Sequence, residues 1–201
     1  TGASFSGLPA GVSGSWLADE VTISGTPGVS GLYSYTVTLT GGCGTVNHMG
    51  TITVNALPVA DILGIDLAGY CEGSVADTLT GDPIGGDFLV GTGLTIIGQD
   101  SAVFDPAASG SYDIYYTYTD GNGCADTASA STTVFPLPDI SIIGTDTFYC
   151  MGEPVDTIIG SPAGGTFFYS AGFSSLAADS VVFDPSAEGS YDLRYIYSDA
   201  N

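Results

Sequence analysis

The chain of 201 residues sets 22 Asp and Glu against a single basic side chain, Arg194, for a formal net charge of −21, and carries 30 Gly, 10 Pro and 4 Cys. With a single cation to displace counterions from phosphate, nucleic acid and anionic membrane surfaces are excluded, and phosphoryl-transfer chemistry, which relies on cationic clamps and a glycine-rich loop followed by Lys, is not expected. Hydrophobic residues make up 44% of the chain and charged ones 11%, enough apolar material for packed cores, while no run approaches the roughly 20 apolar residues of a spanning helix.

The N-terminal stretch TGASFSGLPAGVSGSW has neither the basic start nor the apolar run of a signal peptide, so any targeting element is expected outside these residues. VTISGTP at 21–27, GLYSYTVTLTGGCG at 31–44 and TITVNALP at 51–58 follow, with Tyr33, Tyr35, Val37 and Leu39 on one face of a strand. Next, YCEGSVADTLTGDPIGGDF at 70–88 and SAVFDPAASGSYDIYYTYTDGN at 101–122 return as YCMGEPVDTIIGSPAGGTF at 149–167 and SVVFDPSAEGSYDLRYIYSDAN at 180–201. Cys71 and Cys150, Gly85 and Gly164, Phe104 and Phe183, and Tyr112 and Tyr191 are all 79 residues apart, so these segments align without a gap as tandem copies. Pro-bearing exits, VNALP at 54–58 and VFPLP at 134–138, place module boundaries at 1–58, 59–137 and 138–201, with the first module expected to be incomplete at its start and the last at its end.

Tyr112, Ile114, Tyr116 and Tyr118 alternate, as do Tyr191, Leu193, Tyr195 and Tyr197. No window shows apolar residues at three- and four-residue steps, and Gly, Thr, Ser and Val dominate. The expected fold is all-β, built as tandem immunoglobulin-like β-sandwich modules of short strands separated by turns such as GDPIGGD and DGNG. Gly-Ser-Tyr at 110–112 and 189–191 matches a corner in which a Tyr hydroxyl ties down the preceding turn.

The first unit, TGASFSGLPAGVSGSW through VTISGTPGVSGLYSYTVTLTGGCGTV, resembles the PKD-like and Ig-like repeats of very large secreted and surface proteins of Bacteroidota, gliding-motility adhesins among them. The 79-residue units, with YC, GG-F, FDP and DGNGC, are similar to companion repeats in such proteins. The resemblance spans nearly the whole chain and implies stalks, spacers and adhesive surfaces at the cell exterior.

Cys71 precedes a strand and Cys124 follows the tyrosine-rich strand, so the two are read as partners closing a 53-residue loop. Such a bridge is worth about 4 kcal/mol in unfolded-state entropy and implies an oxidising compartment. The alternative is four free or differently paired thiols. The repeat offset puts the partner of Cys150 two positions past Asn201, and the family pattern puts that of Cys43 before Thr1.

Little else carries chemistry. His48 stands alone without a neighbouring Cys, His or paired carboxylate and reads as structural. GVSGS at 11–15 only approximates a nucleophile elbow, so no catalytic residue is assigned and no enzyme is expected. Asp120, Asn122 and Asp126 offer hard oxygen ligands for Ca²⁺, the one cofactor considered, although Asp-Gly-Asn-Gly is equally a hairpin turn. Thr78, Ser101, Thr127, Thr157 and Ser180 each follow Asp and precede a small or apolar residue, which resembles the O-glycosylation signal of secreted Bacteroidota proteins. Tyr115, Phe168 and Tyr169 fall off the core-facing alternation and are candidates for packing between sheets or modules, or for sugar contacts.

The expected function is therefore a non-catalytic structural segment of an extracellular filament or long cell-surface adhesin, its partners being neighbouring modules, copies of the same protein or surface polysaccharide. The alternative is a Ca²⁺-assisted carbohydrate-binding module of a secreted protein.

Overall fold

The computed structural model describes residues 2–41 and 44–199. Every regular element among them is a strand, so the all-β expectation holds. The chain divides into two compact units, one of residues 1–65, 77–104 and 113–130, the other of 66–76, 105–112 and 131–201.

Five strands open the chain: β1 (Gly2–Ser6), β2 (Val12–Leu17), β3 (Glu20–Gly25), β4 (Gly31–Gly41) and β5 (Gly44–Val54). β1, β4 and β5 form one antiparallel sheet, and β2 and β3 pair separately. Ala18 and Asp19, both at positive φ, make the two-residue turn that lets Leu17 pair with Glu20, as the right-handed twist of a tight hairpin demands.

Eight strands follow: β6 (Asp61–Leu63), β7 (Tyr70–Cys71), β8 (Asp77–Asp82), β9 (Asp87–Phe88), β10 (Leu94–Gly98), β11 (Ser101–Phe104), β12 (Gly110–Thr119) and β13 (Ala125–Phe135). They make two sheets, β10-β11-β8-β6 and β7-β13-β12-β9. Leu79, Ala102 and Phe104 are buried from the first sheet, and Phe88, Ile114, Tyr116 and Val134 from the second. Alternation with period two makes each of these a one-faced surface. The Tyr116 ring reaches across to Gly81 of β8, where a Cβ would collide with it.

The last six strands are β14 (Ser141–Ile143), β15 (Asp156–Ser161), β16 (Thr166–Tyr169), β17 (Phe173–Ala177), β18 (Ser180–Phe183) and β19 (Leu193–Ile196). They form the sheet β14-β15-β18-β17 and the pair β16-β19 around Ile158, Phe167, Val181, Phe183 and Tyr195.

The two copies share one register. Leu79 pairs with Ala102 as Ile158 pairs with Val181, and Asp77 with Phe104 as Asp156 with Phe183. The irregularity between Ile96 and Gly98 recurs between Ser175 and Ala177, and cis peptides precede both Pro83 and Pro162. The equivalence also extends upstream of the segments matched by sequence. Ile62 pairs with Gly81 and Ile142 with Gly160, so the offset there is 80, because one residue fewer separates Asp146 from Tyr149 than Asp66 from Tyr70. Gly64 and Gly144, each at φ +92°, pass so close to the carbonyls of Thr78 and Thr157 that only glycine fits.

Candidate functional site

Tyrosine hydroxyls are the repeated polar feature of the cores. Tyr116 on β12 donates to the Pro83 carbonyl at 2.6 Å and accepts from the Gly86 N–H at 2.8 Å, pinning the turn between β8 and β9. Tyr195 makes the same pair with Pro162, at 2.5 Å, and Gly165, at 2.8 Å. Burial pushes the Tyr116 phenol above its usual range, which keeps it a neutral donor. The expected corners are present: Tyr112 donates to Ala108 at 2.6 Å and Tyr191 to Ala187 at 2.5 Å. A third, from Tyr33 to Val29 at 3.0 Å, follows the same glycine-x-tyrosine pattern at 31–33, a signal present in the sequence but not singled out above.

The calcium candidates already hold backbone. Asp120 Oδ1 accepts from the N–H groups of Asn122 and Cys124, both at 2.9 Å, and Oδ2 accepts from Asn122 Nδ2 at 3.3 Å. Asp126 Oδ2 accepts from the Ala60 N–H at 3.0 Å. The Cys124 amide holds the Asp120 carboxyl below the usual carboxylate range, and the Ala60 amide does so for Asp126. Among the described residues no three His, Cys, Asp or Glu side chains gather where a metal ion would fit. A carboxyl with a depressed folded pKa stabilises the fold above its unfolded pKa of about 3.9, and this contribution is lost as pH falls through the folded value. Asp126→Ala is therefore expected to be less stable than the parent near neutrality, with the gap narrowing as pH falls through the folded pKa of Asp126. Urea midpoints measured down an acid series check this.

Thr78, Thr127 and Thr157 stand exposed on β8, β13 and β15, while Ser101 and Ser180 are half-buried at the starts of β11 and β18. Tyr115, Phe168 and Tyr169 are 42%, 57% and 39% exposed, each outside the core as the alternation implies. Phe168 is paired across strands with Arg194, beside an open groove of about 370 Å³ that also involves Tyr169 and Asp192. His48 is exposed on β5 opposite Val37.

The Cys71–Cys124 bridge is not made. Cys71 pairs with Phe135 at the last residue of β13, whereas Cys124 immediately precedes Ala125, the first. Ten residue steps at about 3.3 Å place the two ends of that strand about 33 Å apart, and disulfides need Cα atoms within about 7 Å. A non-reduced peptide map of the purified chain is expected to contain no Cys71–Cys124 linked peptide. Cys150 is exposed and forms no disulfide in the structure, and Cys43 lies outside the described residues.

No family model and no curated protein matches the chain. Solved structures do. An endo-fucoidan hydrolase of glycoside hydrolase family 107 is 16% identical at a TM-score of 0.27, over 92% of this chain and 34% of that one. Domains 4–9 of the surface layer protein SbsC are 16% identical at 0.26, over 92% and 35%. The Bacteroides ovatus protein SGBP-B, solved with a mixed-linkage heptasaccharide, is 16% identical at 0.22, over 96% and 53%. The chain thus spans about a third to a half of the solved chains it matches. No helix among the described residues is long and apolar enough to cross a membrane.

Proposed function

We propose that the chain is a non-catalytic structural segment of an extracellular filament or long cell-surface adhesin, assembled from tandem PKD-like or Ig-like repeats. The observation that carries this reading is the reuse of one strand register, one bulge and one tyrosine-anchored turn at a fixed spacing. Residues conserved between the copies serve turns and cores: Gly81 and Gly160 make room for tyrosine rings, and Tyr112 and Tyr191 close corners. A net charge of −21 keeps neighbouring surfaces hydrated and repelling, with a reach of about 8 Å at physiological salt. Sugars on the exposed Thr78, Thr127 and Thr157 would add bulk on the outer faces without entering a core.

Electron microscopy of the protein from its native source tests the reading. Long beaded or helical fibres are expected, and discrete globular particles contradict it. The exposed rings of Tyr115 and Phe168 favour a second reading, recognition of polysaccharide. A glycan array on which binding is lost with Tyr115→Ala would decide for that one.

A further inference from the structure

One edge of the repeated module stays apolar on its outside in both copies. In the first copy β9 and β10 are the end strands of their two sheets, and a turn closed by the Leu94 N–H on the Gly91 carbonyl at 3.3 Å joins them. β9 lies on the side of β12 away from β13, so this edge is complete without that strand. Along it Leu89, Val90, Ile96 and Ile97 are 48%, 88%, 42% and 59% exposed. No charged residue occurs from Phe88 to Gln99, in a chain whose net charge is −21.

In the second copy β16 and β17 hold the same places, and the stretch from Thr157 to Ala178 is again free of charge. Phe168, Tyr169 and Leu176 stand where the first copy has Leu89, Val90 and Ile97, and all three remain exposed. Core positions such as Phe104 and Phe183, or Tyr116 and Tyr195, keep their identity, as packing requires. These three keep only their apolar or aromatic character. Water alone asks for no such character at an outward position, and contiguous exposed apolar surface marks a place of contact. The neighbouring outer face is polar by contrast, with Asp113 on β12 and Thr127 and Ser129 on β13 exposed.

We propose that this edge is a lateral docking surface for a second molecule of the same chain, met edge to edge by the same uncharged strip. Charge selects the occupant. Over much of the remaining surface two chains of this composition bring carboxylates together, whereas here both sides are apolar and uncharged, and the repulsion from elsewhere reaches only about 8 Å at physiological salt. The contact is made by side chains and not by strand addition. The register irregularity between Ile96 and Gly98, repeated between Ser175 and Ala177, breaks the ladder that a further strand would extend. A patch of so few side chains falls below the roughly 1,200 Å² of a stable interface, so the association is weak and reversible. It goes beyond the reading of the chain as a structural segment and does not require that fibres form.

Sedimentation equilibrium of the intact chain, from micromolar to millimolar concentration at low and high salt, tests the assignment. The proposal expects a reversible rise in mean mass above that of a single chain, stronger at high salt because screening relieves the repulsion. Val90→Asp and Ile97→Asp are each expected to weaken the association by about tenfold or more, since each sets an unpaired carboxylate against an apolar surface. Both positions are exposed, and unchanged urea midpoints check that the fold is kept. Val75→Asp adds the same charge at a site 89% exposed and outside the strip, and is expected to change the association by no more than about twofold. A chain that stays monomeric at millimolar concentration in high salt would overturn the proposal, as would association that weakens with salt or responds equally to Val75→Asp. Fibres in native material from a chain that stays monomeric in this experiment would remove the lateral contact alone and leave the structural reading standing.

Discussion

Tyr116→Ala is expected to destabilise the fold by about 3–5 kcal/mol, the range for truncating a fully buried aromatic ring. The ring is 0% exposed, lies 5.0 Å from that of Phe88 and fills the space left by Gly81 and Gly86. Its hydroxyl is equally committed, since it holds both the Pro83 carbonyl and the buried Gly86 N–H. Tyr116→Phe separates the two contributions: it keeps the packing but strands that N–H and carbonyl, an expected loss of about 1–3 kcal/mol. Against a total of about 5–15 kcal/mol for an ordinary domain, either change is large. Tyr195→Ala and Tyr195→Phe are expected to repeat the pattern in the second copy, where the ring lies 4.7 Å from Phe167. Urea denaturation of the four variants checks this, and a Tyr116→Phe variant as stable as the parent would show that the turn is held by something else.

The second large effect comes from adding a single carbon. A Cβ at Gly81 falls on the Tyr116 ring, and one at Gly160 falls on the Tyr195 ring. Neither φ lies in the left-handed region, so the cost is steric and not conformational. Gly81→Ala and Gly160→Ala are each expected to lose about 1–3 kcal/mol or more, because a rigid ring in a closed core has nowhere to retreat. Gly28→Ala supplies the control, with open space at that Cβ, an ordinary φ and an expected change within about 0.5 kcal/mol. In the double variant Gly81→Ala with Tyr116→Ala the losses are expected to be well short of additive, since both act on one contact. Additive losses would place the Gly81 effect elsewhere.

Alternation and repetition carried most of the architecture into view. Tyr112, Ile114 and Tyr116 announce one buried face by their spacing, and all three are buried. The corner tyrosines were legible because donor and acceptor are only four residues apart, within one recognisable turn. The second tyrosine anchor was not, because Tyr116 and Pro83 are 33 residues apart and nothing local marks the pair. The cysteine pairing failed for a related reason. Sequence order placed Cys71 and Cys124 at the margins of strands, but β7 joins β13 in parallel at its far end, a register set by long-range packing. Asp-Gly-Asn-Gly could be read as a turn or as an ion loop, and the hydrogen bonds from Asn122 and Cys124 to Asp120 show a turn closed by its own carboxylate.

The account rests on one strand arrangement being used twice, and nuclear Overhauser contacts across the strands test that directly. Cross-strand backbone contacts are expected between Leu79 and Ala102 and, with the same pattern, between Ile158 and Val181. Contacts that place either pair one residue out of step, or are present in one copy and absent in the other, would contradict it.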